Sequence, residues 1–265
     1  MTLAFKYHSL RRDISNFSLI KHREFDGFLI SMHQGGTHWL KHMLAMALTK
    51  KYDLPPPEYI HANDVIGGPK DPRSNDFLPH LVSAHSIPHF LLGNGMFRHA
   101  IKLPPYLILV RDIRASLVSN YEKWKEHYQC DFKEYLRGDI SGHRFNNDIW
   151  WCIRFYNSWG KLIERYPANT LLLRYEDIRS SPLSELQKLN QYWKLGLSDE
   201  QLLYGISESS KEKMSKKKDP ETPFGVTVVR EDKKHYMEWY SDEEKRFLQK
   251  ICDEYLKYDF AYTYK

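Results

Sequence analysis

The sequence predicts an α/β protein: a single domain with a central, mainly parallel β-sheet flanked by helices. Three observations carry this expectation. Apolar runs of strand length alternate with longer runs of helical periodicity. The short runs are continuously apolar rather than alternating, as in strands covered on both faces. The chain's 265 residues contain no internal repeat and no low-complexity segment, and they are enough to bury one full core.

Four strands are expected, over 27–31 (GFLIS), 80–84 (HLVSA), 105–111 (PYLILVR) and 169–175 (NTLLLRY). Between them lie helical patterns. The stretch 37–52 sets Trp39, Leu40, Met43, Leu44 and Ala47 at helical spacing, and the prolines of DLPPPEY stop it. The pattern returns over 113–128 and, rich in aromatics, over 144–167. A helix over 181–195 starts at Ser181, with Pro182 in its first turn. Another over 241–258 carries Ser241 and, three residues on, Glu244, the spacing of a capping box. The segments 65–76 and 209–235 read as loops, the second as a mobile one, and 1–25 as an N-terminal extension of a domain spanning 1–265.

Bulk properties narrow the class of partner. A formal charge of +5 suits an anionic small molecule, a glycan or nucleic acid. The basic run KEKMSKKK (211–218) reads as a solvated loop, and no helix-turn-helix, zinc-knuckle or RRM signature supports a nucleic-acid partner. Three scattered cysteines, with no CxxC, argue against a disulfide framework and for a reducing compartment. The N-terminus has no apolar h-region and no window reaches membrane-span length, so the expectation is a soluble, cytoplasmic protein with no membrane partner. Eighteen tyrosines and seven tryptophans suit a pocket lined with flat side chains and an aromatic core equally well.

The segment SMHQGGT follows the first strand and opens a helix. Ligands of α/β sheets bind beyond the carboxyl ends of strands. Two glycines allow a tight turn and close backbone approach, and the helix N-terminus offers unpaired N–H groups to an anion. Three readings stand at this point: an anion cradle, an ordinary strand-to-helix turn, or a metal site built on His33, His38 and His42. The last lacks a HExxH pattern and a nearby carboxylate, so no metal is expected. A Walker A loop is excluded by the absence of GxxxxGK[ST]. Arg111, at the end of the third strand, presents a planar fork suited to phosphate, and Ser119 lies about two helical turns further on.

Taken together, Gln34-Gly35-Gly36-Thr37-His38-Trp39 and the Arg111/Ser119 pair resemble the sulfotransferases that use 3′-phosphoadenosine-5′-phosphosulfate (PAPS). That family carries K-[SG]-G-T-x-W in its first loop, for the 5′-phosphosulfate, and an Arg and a Ser eight residues apart for the 3′-phosphate. Here Gln34 stands where the family has lysine. The resemblance implies that His85, in AHSIP, is the general base, with His89 a weaker rival; Ser83 replaces a second family lysine. RYEDIRSSP resembles the family's Y-E-D segment, which assigns Tyr175 to the nucleotide and Glu176 and Asp177 to structure. Ser210 to Met214 aligns with an adenine-side S-F-x-x-M segment, with Lys211 in the aromatic position. Arg230 takes the place of the arginine that opens a late R-K-G loop, although Glu231 and Asp232 follow it. The family's dimer segment is replaced by MEWYS (237–241), which leaves monomer or homodimer open.

The implied activity is transfer of a sulfuryl group from PAPS to a hydroxyl or amine of a small-molecule acceptor, releasing adenosine 3′,5′-bisphosphate (PAP) without a metal. His85, Gln34 and His38 would sit at the reacting centre, and Gly35, Gly36, Thr37, Trp39, Arg111, Ser119, Tyr175, Ser210 and Arg230 would hold the nucleotide. Protonated His33, His38 and Lys41, and more remotely Lys102 and Arg114, are candidates for the charge that Gln34 lacks. Two alternatives follow from the departures: a catalytically impaired PAPS/PAP-binding protein, and a phosphoryl transferase or nucleotide kinase.

Overall fold

The computed structural model describes residues 2–15, 25–58, 60, 65–73, 75–89, 92, 102–217 and 234–264. Five strands form one parallel sheet in the order β2-β3-β1-β4-β5, where β1 is Gly27–Ser31, β2 Ile66–Gly67, β3 Leu81–Ala84, β4 Tyr106–Val110 and β5 Thr170–Arg174. The four expected strands are present to within a residue at each end. The short β2 lies in a stretch read as loop, because two residues are too few to show a period.

Each strand feeds both faces of the sheet. Leu29, Leu107, Leu109 and Leu173 join one apolar core, beneath α2 (Thr37–Lys51) and the helices Pro182–Trp193 and Asp199–Glu208. Phe28, Ile30, Tyr106, Ile108 and Val110 join the other, beneath α3 (Ile113–Tyr128) and α5 (Ile149–Arg165). This two-sided burial is the reason the strands are continuously apolar.

The helices depart from expectation in instructive places. The aromatic helix α5 begins at Ile149 rather than 144, because Asp148 caps it by accepting from the Trp151 N–H at 2.8 Å. Ser241 and Glu244 form the expected capping box of α10 (Asp242–Tyr255). Pro182 opens its helix as expected, but Ser181 caps without a side-chain bond. Part of the expected loop 209–235 is instead the short helix α9 (Lys211–Lys216), capped by Ser210 and anchored by buried Met214. The N-terminal extension also carries a helix, α1 (Leu3–Ser15), whose Phe5 is buried edge-on against Tyr255 at 5.4 Å.

The strand order decides where a ligand goes. From β1 the chain moves outward on one side to β2 and β3, then crosses to β4 and β5 on the other. The loops after β1 and β4 therefore splay apart beside each other at the switch point, which opens a crevice at the carboxyl edge of the sheet. The SMHQGGT loop and Arg111 are those two loop segments.

Candidate active site

The loop after β1 is a tight turn that delivers helix α2. The Gly35 N–H donates to the Met32 carbonyl at 3.0 Å, and Gln34 takes a left-handed φ of 56°. Gly36 has φ 92° and precedes α2 without any side-chain cap, so the first N–H groups of the helix stay available to an anion. The Tyr175 ring lies directly over Gly36, where a Cβ would fall 2.4 Å from the Tyr175 Cδ2. Gly36→Ala is therefore expected to cost about 1–2 kcal/mol from backbone handedness alone. Displacement of Tyr175 adds to this, and urea unfolding measures the total.

Arg111 crosses from β4 to close the cradle. Its Nη1 donates to the Gln34 carbonyl at 2.8 Å and to the Ser119 hydroxyl at 3.3 Å, and its guanidinium stacks on Tyr175 at 4.6 Å. No carboxylate forms a salt bridge with Arg111 among the described residues, and its buried Nε has no acceptor there. A partly buried cation with an unspent donor fits a site for a phosphate. Arg114, by contrast, is committed to Asp112 at 2.7 Å, which removes it as a source of charge for the loop.

His85, expected as the base, packs against the end of β1. His85, just beyond β3, donates from Nδ1 to the Ser31 carbonyl at 2.9 Å, and the Ser31 hydroxyl lies 3.1 Å from the same nitrogen. This bond leaves Nε2 as the lone-pair nitrogen. The Ser31 hydroxyl is in turn 2.6 Å from the Thr37 hydroxyl, so one short chain of polar atoms links the base to the first turn of α2. Burial lowers the His85 pKa, partly offset by the Ser31 carbonyl, with Lys41 and Lys123 lowering it further. The imidazole is thus neutral at pH 7, as a base requires.

His33 does not supply the missing charge. It stacks on His85 at 4.4 Å and meets Trp151 at 4.6 Å, and burial pulls its pKa down to about 3, with the charges around His85 and Lys123 adding to the shift. A neutral ring cannot replace an ammonium. His38 sits in the first turn of α2, half-buried beside Thr37. Trp39 packs edge-on to Tyr175 at 5.7 Å and donates from Nε1 to the Ser209 carbonyl at 2.9 Å. His42 is fully buried and holds Ser209 through a 2.7 Å contact, while its other nitrogen is 3.2 Å from the Lys217 ammonium. Ser210 thus arrives beside Trp39, fixed as the cap of α9, whereas Arg230 lies outside the described residues.

Glu176 accepts from the Asp112 N–H at 3.2 Å and from the Tyr262 hydroxyl, the structural role expected of it. The aromatic stretch of α5 resolves mostly as core: Phe155, Tyr156 and Trp159 are buried, and Trp151 reaches His33 at the rim of the site. Three participants escaped sequence reading. Ser31 was hidden in an apolar strand. Ser116, which donates to the His33 carbonyl at 2.7 Å, and Lys123 were hidden in a helix face, although 116, 119 and 123 share helical spacing with one another. No cluster of three or more metal-ligating side chains occurs among the described residues, and no described helix is long and apolar enough to cross a membrane.

Residues 24–258 match the sulfotransferase domain family. The chain belongs to that family. It is 26% identical over 230 residues to human sulfotransferase 2A1, covering 82% of this chain and 75% of the relative. It is 24% identical over 260 residues to a flavonol sulfotransferase-like protein of Flaveria bidentis, covering 87% and 81%. Two solved structures share the fold. One is mouse sulfotransferase SULT7A1 complexed with PAP, with TM-score 0.60, 14% identity and coverage of 89% and 86%. The other is retinol dehydratase in complex with androsterone and PAP, with TM-score 0.63, 14% identity and coverage of 96% and 88%. In this sulfotransferase family member the crevice at the switch point is bordered by the Gln34–Trp39 segment and Arg111.

Proposed function

We propose that this sulfotransferase moves a sulfuryl group from PAPS to a hydroxyl or amine of a small-molecule acceptor, with His85 as the general base. The observation that carries the reading is Arg111. Its guanidinium joins the first loop to Ser119, stacks on Tyr175, and keeps a buried donor without an acceptor among the described residues.

The residues present fit a nucleotide with phosphates at two ends. Gly36, Thr37 and His38 offer backbone N–H groups and one hydroxyl to the 5′ side, while Gly35, bonded to the Met32 carbonyl, shapes the turn. Arg111 and Ser119 take the 3′-phosphate. Trp39 and Tyr175 flank the base, with Ser210 beside them. PAPS supplies an activated sulfuryl group with a phosphate as leaving group. His85 Nε2 takes the acceptor's proton, and the Ser31 carbonyl holds the ring in the required tautomer and stabilises the imidazolium formed. The chemistry asks the protein for alignment and for donors at the developing charge, not for a covalent intermediate.

The test is calorimetry with PAP, followed by turnover of labelled PAPS with panels of phenols, alcohols and amines. Saturable PAP binding at a single site is expected. Absence of any binding would remove the donor assignment. PAP binding without turnover on any panel would favour the second reading, a nucleotide-binding protein that has lost catalysis, which Gln34 and Ser83 motivate.

A further inference from the structure

The family's loop lysine is glutamine here, its second lysine near β3 is Ser83, and His33 and Arg114 are excluded above. The charge that the reaction requires must then come from elsewhere in the crevice. Lys41 is the residue that geometry brings there. It lies four positions after Thr37 on α2, so its side chain stands on the same helix face, one turn along. That face is the one on which the Thr37 hydroxyl reaches Ser31 at 2.6 Å and, through Ser31, the His85 ring.

Lys41 is only 7% exposed. Buried lysines are rare unless paired. The carboxylate that acts on it, Asp71, is an exposed side chain after β2 that already accepts the Gly68 N–H at 2.5 Å. The Lys41 charge also lowers the proton affinity of His85, so the two groups lie within electrostatic reach of each other. A desolvated ammonium within electrostatic reach of His85, whose counter-ion is an exposed carboxylate, is costly for folding and is explained by a ligand.

We propose that Lys41 is a catalytic residue of this sulfotransferase, supplying from helix α2 the positive charge at the 5′-phosphate leaving oxygen that the family supplies from the loop. The inference rests on the PAPS reading. In the transfer, the acceptor's oxygen or nitrogen forms a bond to sulfur while the bond from sulfur to the 5′-phosphate oxygen breaks. The acceptor's proton goes to His85 Nε2. The electron pair of the broken bond stays on the phosphate oxygen, where the Lys41 ammonium meets it.

The consequence extends to pH. Burial lowers the Lys41 pKa to about 8, against the raising effect of Asp71. The other titratable groups facing this region are His85 beyond β3, His33 stacked on it, Lys123 from α3 and, on the opposite side of α2, His42 with Glu208 and Lys217. Loss of the Lys41 charge then falls just above neutrality, so kcat is expected to fall as pH rises through about 8.

Two variants test this: Lys41→Met, which keeps the length and removes the charge, and Lys41→Arg, which keeps the charge at every accessible pH. For Lys41→Met we expect kcat to drop by about 10²-fold, the scale of losing one donor at a developing oxyanion. PAP affinity should fall by about 10-fold, while affinity for adenosine 3′-phosphate, which lacks the 5′ group, is unchanged. Lys41→Arg should retain PAP discrimination and lose the alkaline limb near pH 8. The proposal is overturned if Lys41→Met keeps kcat within about threefold of the parent and the same preference for PAP over adenosine 3′-phosphate. It is also overturned if the alkaline limb persists in Lys41→Arg. Failure of the parent protein to bind PAP would instead overturn the donor assignment itself, so the two failures are distinct.

Discussion

Replacing His85 by alanine is expected to lower kcat by about 10²- to 10⁴-fold, the range of a lost general base. PAP affinity should stay within about threefold of the parent. The asymmetry follows from position. His85 meets the loop through Ser31 and the stacked His33 ring, and the Ser31–Thr37 contact at 2.6 Å does not depend on it. The proposed nucleotide site, built on Gly35 to Thr37, Arg111 and Tyr175, does not include the imidazole.

The pH dependence has a definite sign. His85 has a pKa below the ordinary histidine value because burial disfavours its charged form. The base is therefore active above that pKa, and the acid limb of kcat should lie below about pH 6.5 and vanish in His85→Ala. Stopped-flow turnover across pH 4–9, with PAP calorimetry at each end, measures both quantities. A variant that kept parental kcat would move the base to another residue, with His89 the next to examine.

Replacing Arg111 by alanine should have the complementary effect: PAP affinity lower by about 10²-fold or more, as expected when a desolvated charge-assisted contact loses one partner. Arg111 does three things at once. In the proposed site it offers donors to the 3′-phosphate; within the protein it ties the Gln34 carbonyl to α3 through Ser119 and stacks on the ring that covers Gly36. Loss of the side chain removes the ligand contact and loosens the loop. Lysine should not rescue it, because an ammonium cannot reach two acceptors and stack in the plane of Tyr175. The free protein, in contrast, should lose little stability, since the guanidinium forms no salt bridge among the described residues and is itself a desolvated charge. Calorimetry for affinity and thermal unfolding with and without PAP separate these effects: the parent should gain stability from the nucleotide and Arg111→Ala should not. Equal PAP affinity in the two proteins would remove Arg111 from the 3′-phosphate.

The local features of this protein were legible in the chain itself. Continuous apolar runs fixed the positions of β1, β3, β4 and β5 because burial on both faces leaves no polar positions to vary. Gly35-Gly36-Thr37 between a strand and a helix marks a tight strand-to-helix turn, which the structure contains, since backbone freedom and helix ends are local properties. Arg111 and Ser119 could be paired because both lie near one short strand–helix junction. The short β2 and the helices at 175–180, 199–208 and 211–216 were missed where segments are too short for periodicity to outweigh turn chemistry.

What only the tertiary structure decided is the electrostatic state of the site. In sequence, His33 is a plausible cation next to the glycines; in the fold it is a buried ring stacked on His85, and desolvation keeps it neutral. Arg114 reads as a free charge until Asp112 is found holding it. Lys41 reads as one polar residue on a helix until its burial, within electrostatic reach of His85, is known. A side chain's type fixes which charge it can carry. Whether it carries that charge depends on the water and the partners around it, and those are set by packing between segments distant along the chain.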